Sequence, residues 1–290
     1  MTRPLPLRPR AEALSGALPP LMARAQHLAA GITLGGHGRR RPGHGDSFWQ
    51  FRPARPGDPA QSIDWRRSAR SDTHFVQEKE WQAAQTVLFW SDRSAAMQFA
   101  SDAGGETKAQ RAALLTLATA ILLARAGERV GLTDLDAPPS PSNLQLSRMA
   151  EALDQPEARD YGAPGVTPLP THARAVFLSD FLGPLDALES ALARATNRGV
   201  SGALVQVLDP AEEAFPFEGR TIFQSMRGEI GFETRHAGGL RMDYQQRLAA
   251  RKTRLQALAH DHGWQYHLHH STDAPANALL WLYRGLEARL

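Results

Sequence analysis

The sequence contains no cysteine among its 290 residues, so disulfides, zinc sites with cysteine ligands and thiol nucleophiles are excluded. It also has no long apolar run. The longest, residues 112–124, is interrupted by two threonines and is too short to span a bilayer, which predicts a core helix. The first residues lack the apolar segment of a secretory signal. We therefore expect a cytoplasmic protein without a transmembrane segment.

Motifs for nucleotide binding and for serine hydrolases are missing as well. Residues 35–45 are rich in glycine and arginine and predict a loop, but they form neither a P-loop nor a G-x-G-x-x-G turn after a strand. No Gly-x-Ser-x-Gly elbow is present. We expect no nucleotide cofactor, and the sequence carries no signal for an oligomeric state.

The net charge of +3 conceals an uneven distribution along the chain. Residues 1–70 contain 12 arginines and four acidic residues, whereas the remainder contains 21 basic and 26 acidic residues. The apolar fraction of 42% is typical of a soluble globular protein. We expect an Arg/Pro/Gly-rich N-terminal extension, residues 1–80, packed on an α/β domain formed by residues 81–290.

Short apolar runs alternate with helix-length segments after residue 85. This alternation predicts a doubly wound, mainly parallel sheet with helices on both faces. The predicted strands are 86–90, 130–133, 173–178, 203–208 and 264–269, and the predicted helices are 107–126, 144–153, 185–196, 240–260 and 276–288. Residues 75–81 predict an edge strand leading into the first of these strands, and residues 221–226 are expected to pair with 229–233.

Acidic residues follow the ends of four predicted strands: Asp92, Asp134, Asp180 and Asp209. The carboxyl ends of parallel strands share one edge of the sheet, where ligands bind in open α/β folds. We expect Asp92 and Asp180 to converge, since each has a hydroxyl-bearing neighbour, Ser94 in the case of Asp92. Such oxygen ligands suit Mg²⁺ or Mn²⁺. The alternative is that these side chains cap the helices and turns that follow.

The strand that ends in Asp-x-Ser resembles the metal-ion-dependent adhesion site of von Willebrand factor A (vWA) domains, whose full pattern is Asp-x-Ser-x-Ser. Ala96 stands in place of the second serine. The resemblance implies an Mg²⁺ or Mn²⁺ ion held by Asp92, Ser94, Thr107 and Asp180, with Thr107 in the second loop. A water molecule can replace the missing hydroxyl.

The most distinctive series of residues lies upstream of this motif. It consists of Arg40, Arg41, Gly43, Gly45, Phe48, Arg52, Pro56, Gly57, Asp58, Ile63, Asp64, Trp65, Ser68, Ala69 and Arg70. The series resembles the bacterial "domain of unknown function 58" family, and the resemblance covers about residues 36–290. Residues 56–58 predict a turn, and Asp64 is expected to form ion pairs with neighbouring arginines.

Members of that family are vWA-like proteins, often encoded beside MoxR-type AAA+ ATPases, and are regarded as adaptors in the assembly or maturation of protein complexes. Many contain membrane segments, and no catalytic activity is firmly assigned to them. The resemblance implies a non-enzymatic protein-interaction module whose partners are a MoxR-type ATPase and other vWA proteins. It also implies metal-bridged recognition, in which a partner's carboxylate completes the coordination of the ion.

Other functions stay open on the sequence. A metal-dependent phosphohydrolase would use the same acidic strand ends, and Asp134 and Asp136 form a D-x-D pair. A nucleic-acid-binding protein would use the N-terminal arginines and aromatic residues for phosphate contacts and stacking. Docking of these residues on the acidic remainder of the chain is the favoured alternative. His267 and His269 have strand spacing on one face, but a zinc site needs three or four ligands.

Overall fold

The computed structural model describes residues 20–32, 39–43, 47–71, 73–102, 105–165, 167–224 and 231–287. The chain forms two compact units. The smaller unit comprises residues 36–85, and the larger one comprises residues 86–290 together with the N-terminal residues up to 35. The expected packing of residues 1–80 on the remainder stays a prediction.

Ten strands and eight α-helices lie within the described ranges. The strands are β1 (Arg39–Gly43), β2 (Ser47–Pro53), β3 (Phe75–Ala83), β4 (Thr86–Ser91), β5 (Arg129–Leu132), β6 (Arg174–Ser179), β7 (Ser201–Leu208), β8 (Thr221–Gln224), β9 (Gly231–Thr234) and β10 (Gln265–His270). The helices are α1 (Pro20–Ala30), α2 (Trp65–Ser68), α3 (Lys108–Arg125), α4 (Asn143–Leu153), α5 (Asp186–Asn197), α6 (Pro210–Ala214), α7 (Arg241–Asp261) and α8 (Pro275–Glu287).

The larger unit is built on a five-stranded parallel sheet with the order β10-β7-β6-β4-β5. Successive side chains of β4 enter two different apolar layers. Val87 and Phe89 pack with α1, α3, α4 and α8, whereas Leu88 and Trp90 pack with α5 and α7. A strand buried on both faces reads as a continuous apolar run. The predicted α/β architecture with a parallel sheet is confirmed, while its relation to vWA domains stays a prediction.

Helix α3 forms the centre of the first layer, since 14 of its 18 residues are buried. It begins with a capping box, in which Thr107 and Gln110 each accept a hydrogen bond from the other's backbone N–H. Gly127, which follows its end, has a φ of +85° that favours glycine. The predicted core helix is confirmed, and no helix in the described ranges is long and apolar enough to cross a membrane.

The smaller unit contains an antiparallel sheet of order β1-β3-β2. Two predictions are corrected here. Residues 35–45 were expected to form a loop but contain β1, and residues 75–81 were expected to form an edge strand but lie in the central strand of a separate sheet. Both errors have the same cause, because pairing with a partner strand distant in sequence overrides the local preference of glycine-rich or charged segments.

A third sheet consists of the hairpin strands β8 and β9, which pair antiparallel from Thr221 opposite Thr234 to Gln224 opposite Gly231. The expected pairing of residues 221–226 with 229–233 is therefore confirmed for residues 221–224 and 231–233. Residues 225–230, which include the ends of both predicted strands, lie outside the described residues.

Gly202 of β7 lies opposite the neighbouring strand β6 with no room for a side chain. A Cβ atom at Gly202 would lie 1.7 Å from the Ala175 carbonyl oxygen, whereas a Cβ at Gly238 would meet nothing within 4 Å. We expect G202A to lower the free energy of unfolding in urea by about 1–3 kcal/mol, as overpacking does elsewhere. G238A is the matched control and should match wild type. Equal midpoints for the two variants would contradict this strand register.

Candidate functional site

The candidate site lies where two central strands end. Asp92 follows β4 and continues its pairing with β6, because its N–H donates to the Leu178 carbonyl at 2.8 Å. The side chain is buried, and its oxygens accept hydrogen bonds from the Ser94 N–H at 2.9 Å and the Ser179 hydroxyl at 2.6 Å. Burial raises the pKa of the Asp92 carboxyl above its ordinary value of 3.8, although these hydrogen bonds act in the opposite direction.

The Ser94 hydroxyl is one of several buried polar groups near the strand ends that have no hydrogen-bond partner among the described residues; Ser91, Thr133 and Asp160 carry the others. Ser94 is completely buried, and its Oγ makes no hydrogen bond of good geometry with the described residues, although it lies close enough to the Asp92 carboxyl to help lower the pKa of that group. The 3₁₀ turn Ala95–Gln98 follows it, but the Ser94 side chain does not cap that turn. The capping alternative therefore does not account for this hydroxyl. An unpartnered buried hydroxyl is unusual, and it favours a bound ion or water.

A buried cation, the ammonium group of Lys108, lies beside Asp180 at the end of β6. The Lys108 ammonium donates to Asp180 Oδ2 at 2.7 Å and to Glu212 Oε1 at 2.5 Å. The Lys108 and Asp180 side chains are only 1% and 2% exposed. Burial disfavours the ammonium, but the two carboxylates outweigh burial and raise the pKa of Lys108. Lys108 therefore stays charged and neutralises the acid that follows β6.

Thr107, the predicted ligand from the second loop, is the N-cap of α3. Its hydroxyl accepts a hydrogen bond from the Gln110 N–H at 3.2 Å, and its own N–H donates to the Gln110 side chain at 3.0 Å. The next residue, Lys108, is the one that reaches Asp180. The structure thus gives Thr107 a capping role, and no described hydrogen bond joins it to the other three predicted ligands.

Residues 157–162, the covering segment, lie over this edge. Backbone carbonyls of the segment accept hydrogen bonds from the Ala95 and Ala96 N–H groups at 2.8 and 3.0 Å. Gly162 packs directly on Asp92, since a Cβ at that position would lie 2.2 Å from Asp92 Oδ1. The cavity beneath has a volume of about 10 Å³, roughly the space of one water molecule. Ala96, the residue that departs from the full metal motif, thus contributes a backbone hydrogen bond to the covering segment.

Arg93 fastens the covering segment to the strand ends. Its guanidinium donates to the Ala152 carbonyl, to Asp134 and, at 2.9 Å, to Glu157. The Glu157 N–H donates back to the Arg93 carbonyl at 2.9 Å. Asp134, the first acid of the D-x-D pair, is therefore the ion-pair partner of Arg93, and this pairing does not favour a phosphoryl-transfer site there.

Asp209, at the end of β7, has a separate role. It accepts hydrogen bonds from the Ala211 N–H at 2.8 Å and the Ser101 N–H at 3.0 Å, and so caps α6. Burial opposes ionisation of this carboxyl, but the hydrogen bonds outweigh burial and lower the pKa of Asp209. Asp180, by contrast, contributes to the raised pKa of Asp92. Asp92 and Asp180 line the same small cavity, so they are the two strand-end acids that the structure brings together.

The predicted ligands do not fit a divalent ion in the arrangement that the structure shows. Asp180 is paired with an ammonium, both Asp92 oxygens accept hydrogen bonds, and Thr107 caps a helix. Across the described ranges, no three His, Cys, Asp or Glu side chains are grouped to hold a metal. The unpartnered buried oxygens of Ser94 and of Asp160 in the covering segment argue for a bound ion or water. The metal site stays a prediction that requires Lys108 and the covering segment to move.

The histidines of β10 have separate partners. His267 stacks on Trp281 with ring centroids 4.6 Å apart, and His270 pairs with Glu213. His269 Nε2 lies 3.3 Å from the Arg111 guanidinium. Burial and that positive charge lower the pKa of His269 to about 4. These contacts support packing roles for the histidines.

The upstream motif lies in the smaller unit, where it forms local structure. The Arg52 guanidinium binds the Asp58 carboxylate through two hydrogen bonds of 2.7 Å, which lower the pKa of Asp58. Gly57 has a φ of +102°, as the predicted turn requires. Asp64 caps α2 by accepting from the Arg67 N–H at 2.9 Å. This backbone cap replaces the ion pairs that were expected between Asp64 and the neighbouring guanidinium groups.

The remaining motif residues fall on β1 or around α2. Arg40, Arg41 and Gly43 lie in β1 and pair with β3. Trp65 is 58% exposed, with its ring edge against His74. Gly45 lies outside the described residues.

A basic cleft opens beside α2, with a volume of about 590 Å³. It is lined by Phe51, Asp64, Arg66, Arg67, Arg70, Ser71 and Phe75. The Arg67 guanidinium lies over the ring of Phe51 at 4.4 Å and over that of Phe75 at 5.3 Å. Arg66 and Arg70 are exposed, and neither takes part in an ion pair in the described part of the chain. The lining thus carries three guanidinium groups and one carboxylate, which gives the cleft a net positive charge.

Four residues of the sheet edge were not identified as site residues from the sequence: Lys108, Ser179, Glu212 and Gly162. Lys108 carries a usable signal, because the chain has three lysines against 30 arginines and this one follows the predicted second-loop ligand. Ser179 directly precedes Asp180. Glu212 and Gly162 carry no local signal, because only the folded chain brings them to the strand ends.

Asp92 is expected to make stability depend on pH. Its folded-state pKa lies above the ordinary value of 3.8, so its contribution is present below that value and is lost as the pH rises through the raised pKa. Wild type should therefore gain free energy of unfolding relative to D92N as the pH falls from neutrality. Urea unfolding at several pH values measures this difference, with the exposed Asp136→Asn variant as control. Parallel curves for wild type and D92N would contradict the expectation.

Comparison with solved structures gives distant similarities. A conserved hypothetical protein BatB from Bacteroides thetaiotaomicron and an aerotolerance-related membrane protein from Bacteroides fragilis each share 14% identity and a TM-score of 0.42, with 70% of this chain and 98% of theirs covered. An uncharacterized membrane spanning protein from Vibrio fischeri shares 16% identity and a TM-score of 0.19, with 69% and 95% covered. No curated protein matches the sequence.

The family comparison is more specific. Residues 50–254 match the family described as "Protein of unknown function DUF58". The matched range contains both the acidic sheet edge and the basic cleft, and it spans more than half of the chain. The predicted membership is confirmed: this chain belongs to the DUF58 family.

Proposed function

We propose that this chain is a non-enzymatic, vWA-like protein-interaction module that serves as an adaptor for a MoxR-type AAA+ ATPase in the assembly or maturation of protein complexes. The observation that supports this most directly is the basic cleft. The cleft is open to solvent, contains two arginines without ion-pair partners in the described chain, and lies within the family-matched range. A cytoplasmic location belongs to the same proposal.

The chemistry of the cleft suits an acidic segment of the ATPase. A guanidinium group binds a carboxylate through two parallel hydrogen bonds, and charge-assisted bonds of this kind are strong. Arg66 and Arg70 are exposed and free to form them, whereas Arg67 is held against two aromatic rings. The exposed Trp65 adjoins this surface in sequence and offers apolar contact area, as tryptophan does at many interface hot spots.

Nucleic acid is a less suitable occupant of the cleft. Residues 36–85 contain nine basic and six acidic residues, a small excess for a surface that must neutralise several phosphates. Binding of single strands also relies on bases stacking on free aromatic rings. In the cleft, the Arg67 guanidinium already lies over both Phe51 and Phe75.

The closed acidic sheet edge favours neither hydrolysis nor metal-bridged recognition. A phosphohydrolase must expose its acids to substrate, but Asp92 and Asp180 are 2% and 1% exposed, beneath the covering segment. Metal-bridged recognition needs the same opening, because a partner's carboxylate must reach the ion. The geometry therefore supports the basic cleft as the contact surface more strongly than it supports the edge.

Neutralising the two free arginines of the cleft is expected to weaken binding of the purified MoxR-type ATPase from the same genome. The R66A/R70A variant should lose at least about tenfold in affinity, because hydrogen bonds to charged groups contribute roughly 1.5–3 kcal/mol each. Biolayer interferometry with the full chain measures the affinity. R148A/R247A is the matched control, since both of these arginines are exposed on the larger unit.

Each contrary result points to a different function. Equal affinities for R66A/R70A and wild type would reject the cleft as the contact. Binding that disappears in EDTA and returns with Mg²⁺ would support the metal-bridged form instead. Salt-sensitive binding of a single-stranded oligonucleotide that R66A/R70A loses would favour the nucleic-acid function.

A further inference from the structure

Lys108 joins three elements at the carboxyl edge of the sheet. It is the first residue of α3, its partner Asp180 directly follows β6, and its second partner Glu212 lies in α6, just after β7. Glu212 is itself oriented, because its other carboxylate oxygen accepts a hydrogen bond from the Asp209 N–H at 2.9 Å. The ammonium therefore connects the ends of two neighbouring strands to the start of the central helix.

The cluster is complete without any other cation. Asp180 Oδ2 accepts from Lys108, and Asp180 Oδ1 accepts from the Leu182 N–H at 3.0 Å. Buried charges are tolerated when they are paired and their remaining lone pairs accept hydrogen bonds. A divalent ion on Asp180 would compete with the ammonium for the same carboxylate and would lie close to a like charge.

The choice of lysine is informative in a chain that has three lysines and 30 arginines. A guanidinium is a planar fork that suits bidentate pairing with one carboxylate, whereas an ammonium is a compact point charge with three donors. The ammonium is therefore the side-chain cation whose shape most resembles a metal ion, and here it binds two carboxylates from different elements.

We propose that Lys108 is the resident cation of this sheet edge, in the place that the vWA resemblance assigns to Mg²⁺ or Mn²⁺, and that it holds the edge together without a metal. A side chain of the protein, Lys108, thus links the strand ends to the start of α3, as a metal ion would. The proposal is independent of the adaptor function, because it concerns only the folded chain.

The first test uses the wild-type chain. Its thermal midpoint should be the same in EDTA, in Mg²⁺ and in Mn²⁺, and calorimetric titration with Mn²⁺ should show no saturable binding. A midpoint that falls in EDTA, or saturable Mn²⁺ binding by wild type, overturns the proposal. This arm needs no variant to fold.

The second test removes the ammonium. K108A leaves the buried Asp180 and the partly buried Glu212 without their cation, so its midpoint should fall further than that of K252A, which removes a lysine from a partly exposed pair with Glu213. The space and negative charge left in K108A should allow Mn²⁺ to bind and to recover part of the lost thermal midpoint. In K108M the methionine side chain fills the space, so this variant should neither bind Mn²⁺ nor recover its midpoint. K108A with the wild-type midpoint overturns the proposal, as does a midpoint that Mn²⁺ restores equally in K108M.

Discussion

The ion cluster of Lys108, Asp180 and Glu212 is the constraint on which the sheet edge depends. A charge that is buried without a partner costs several kcal/mol, so the buried Lys108 and Asp180 depend on each other, and the partly buried Glu212 adds a second partner for the ammonium. The start of α3, the end of β6 and the first turns after β7 must therefore come together. This requirement explains why Lys108, the first residue of α3, is buried at a position where helices usually meet solvent.

The edge contains a second acid that is stabilised by different means. Asp92 has no cation beside it in the described contacts and relies on the Ser94 N–H and the Ser179 hydroxyl, while the covering segment excludes solvent above it. The two buried carboxylates at this edge are thus stabilised differently. An ammonium group pairs with Asp180, whereas neutral hydrogen-bond donors contact Asp92. Opening the edge would break the backbone hydrogen bonds at Ala95 and Ala96 and the ion pairs of Arg93, which makes a closed edge the stable state.

Local sequence predicted the parallel sheet from patterns within single segments, and it predicted the pair Asp92 and Asp180 because parallel strands end at one edge of a sheet. The apolar run of β4 is such a pattern. The pairing of β1 with β3, the cover provided by Gly162 and the reach of Lys108 to Glu212 depend on contacts between residues distant in sequence. No periodicity or spacing encodes these contacts, so the acids that follow the strands were predictable, but the cation that pairs with them and the segment that covers them were not.

A strand-end motif specifies where negative charge converges, but it does not specify what neutralises that charge. In this chain the motif keeps its acids and lacks one hydroxyl, and a lysine adjoins the threonine of the second loop. If that lysine is the permanent cation, the edge has no exchangeable ion to share with a partner, and recognition falls to the basic cleft. Contacts between exposed arginines and carboxylates weaken as salt screens them, whereas a chelator leaves them intact. The choice between an ammonium and a metal ion thus determines which solution conditions control association.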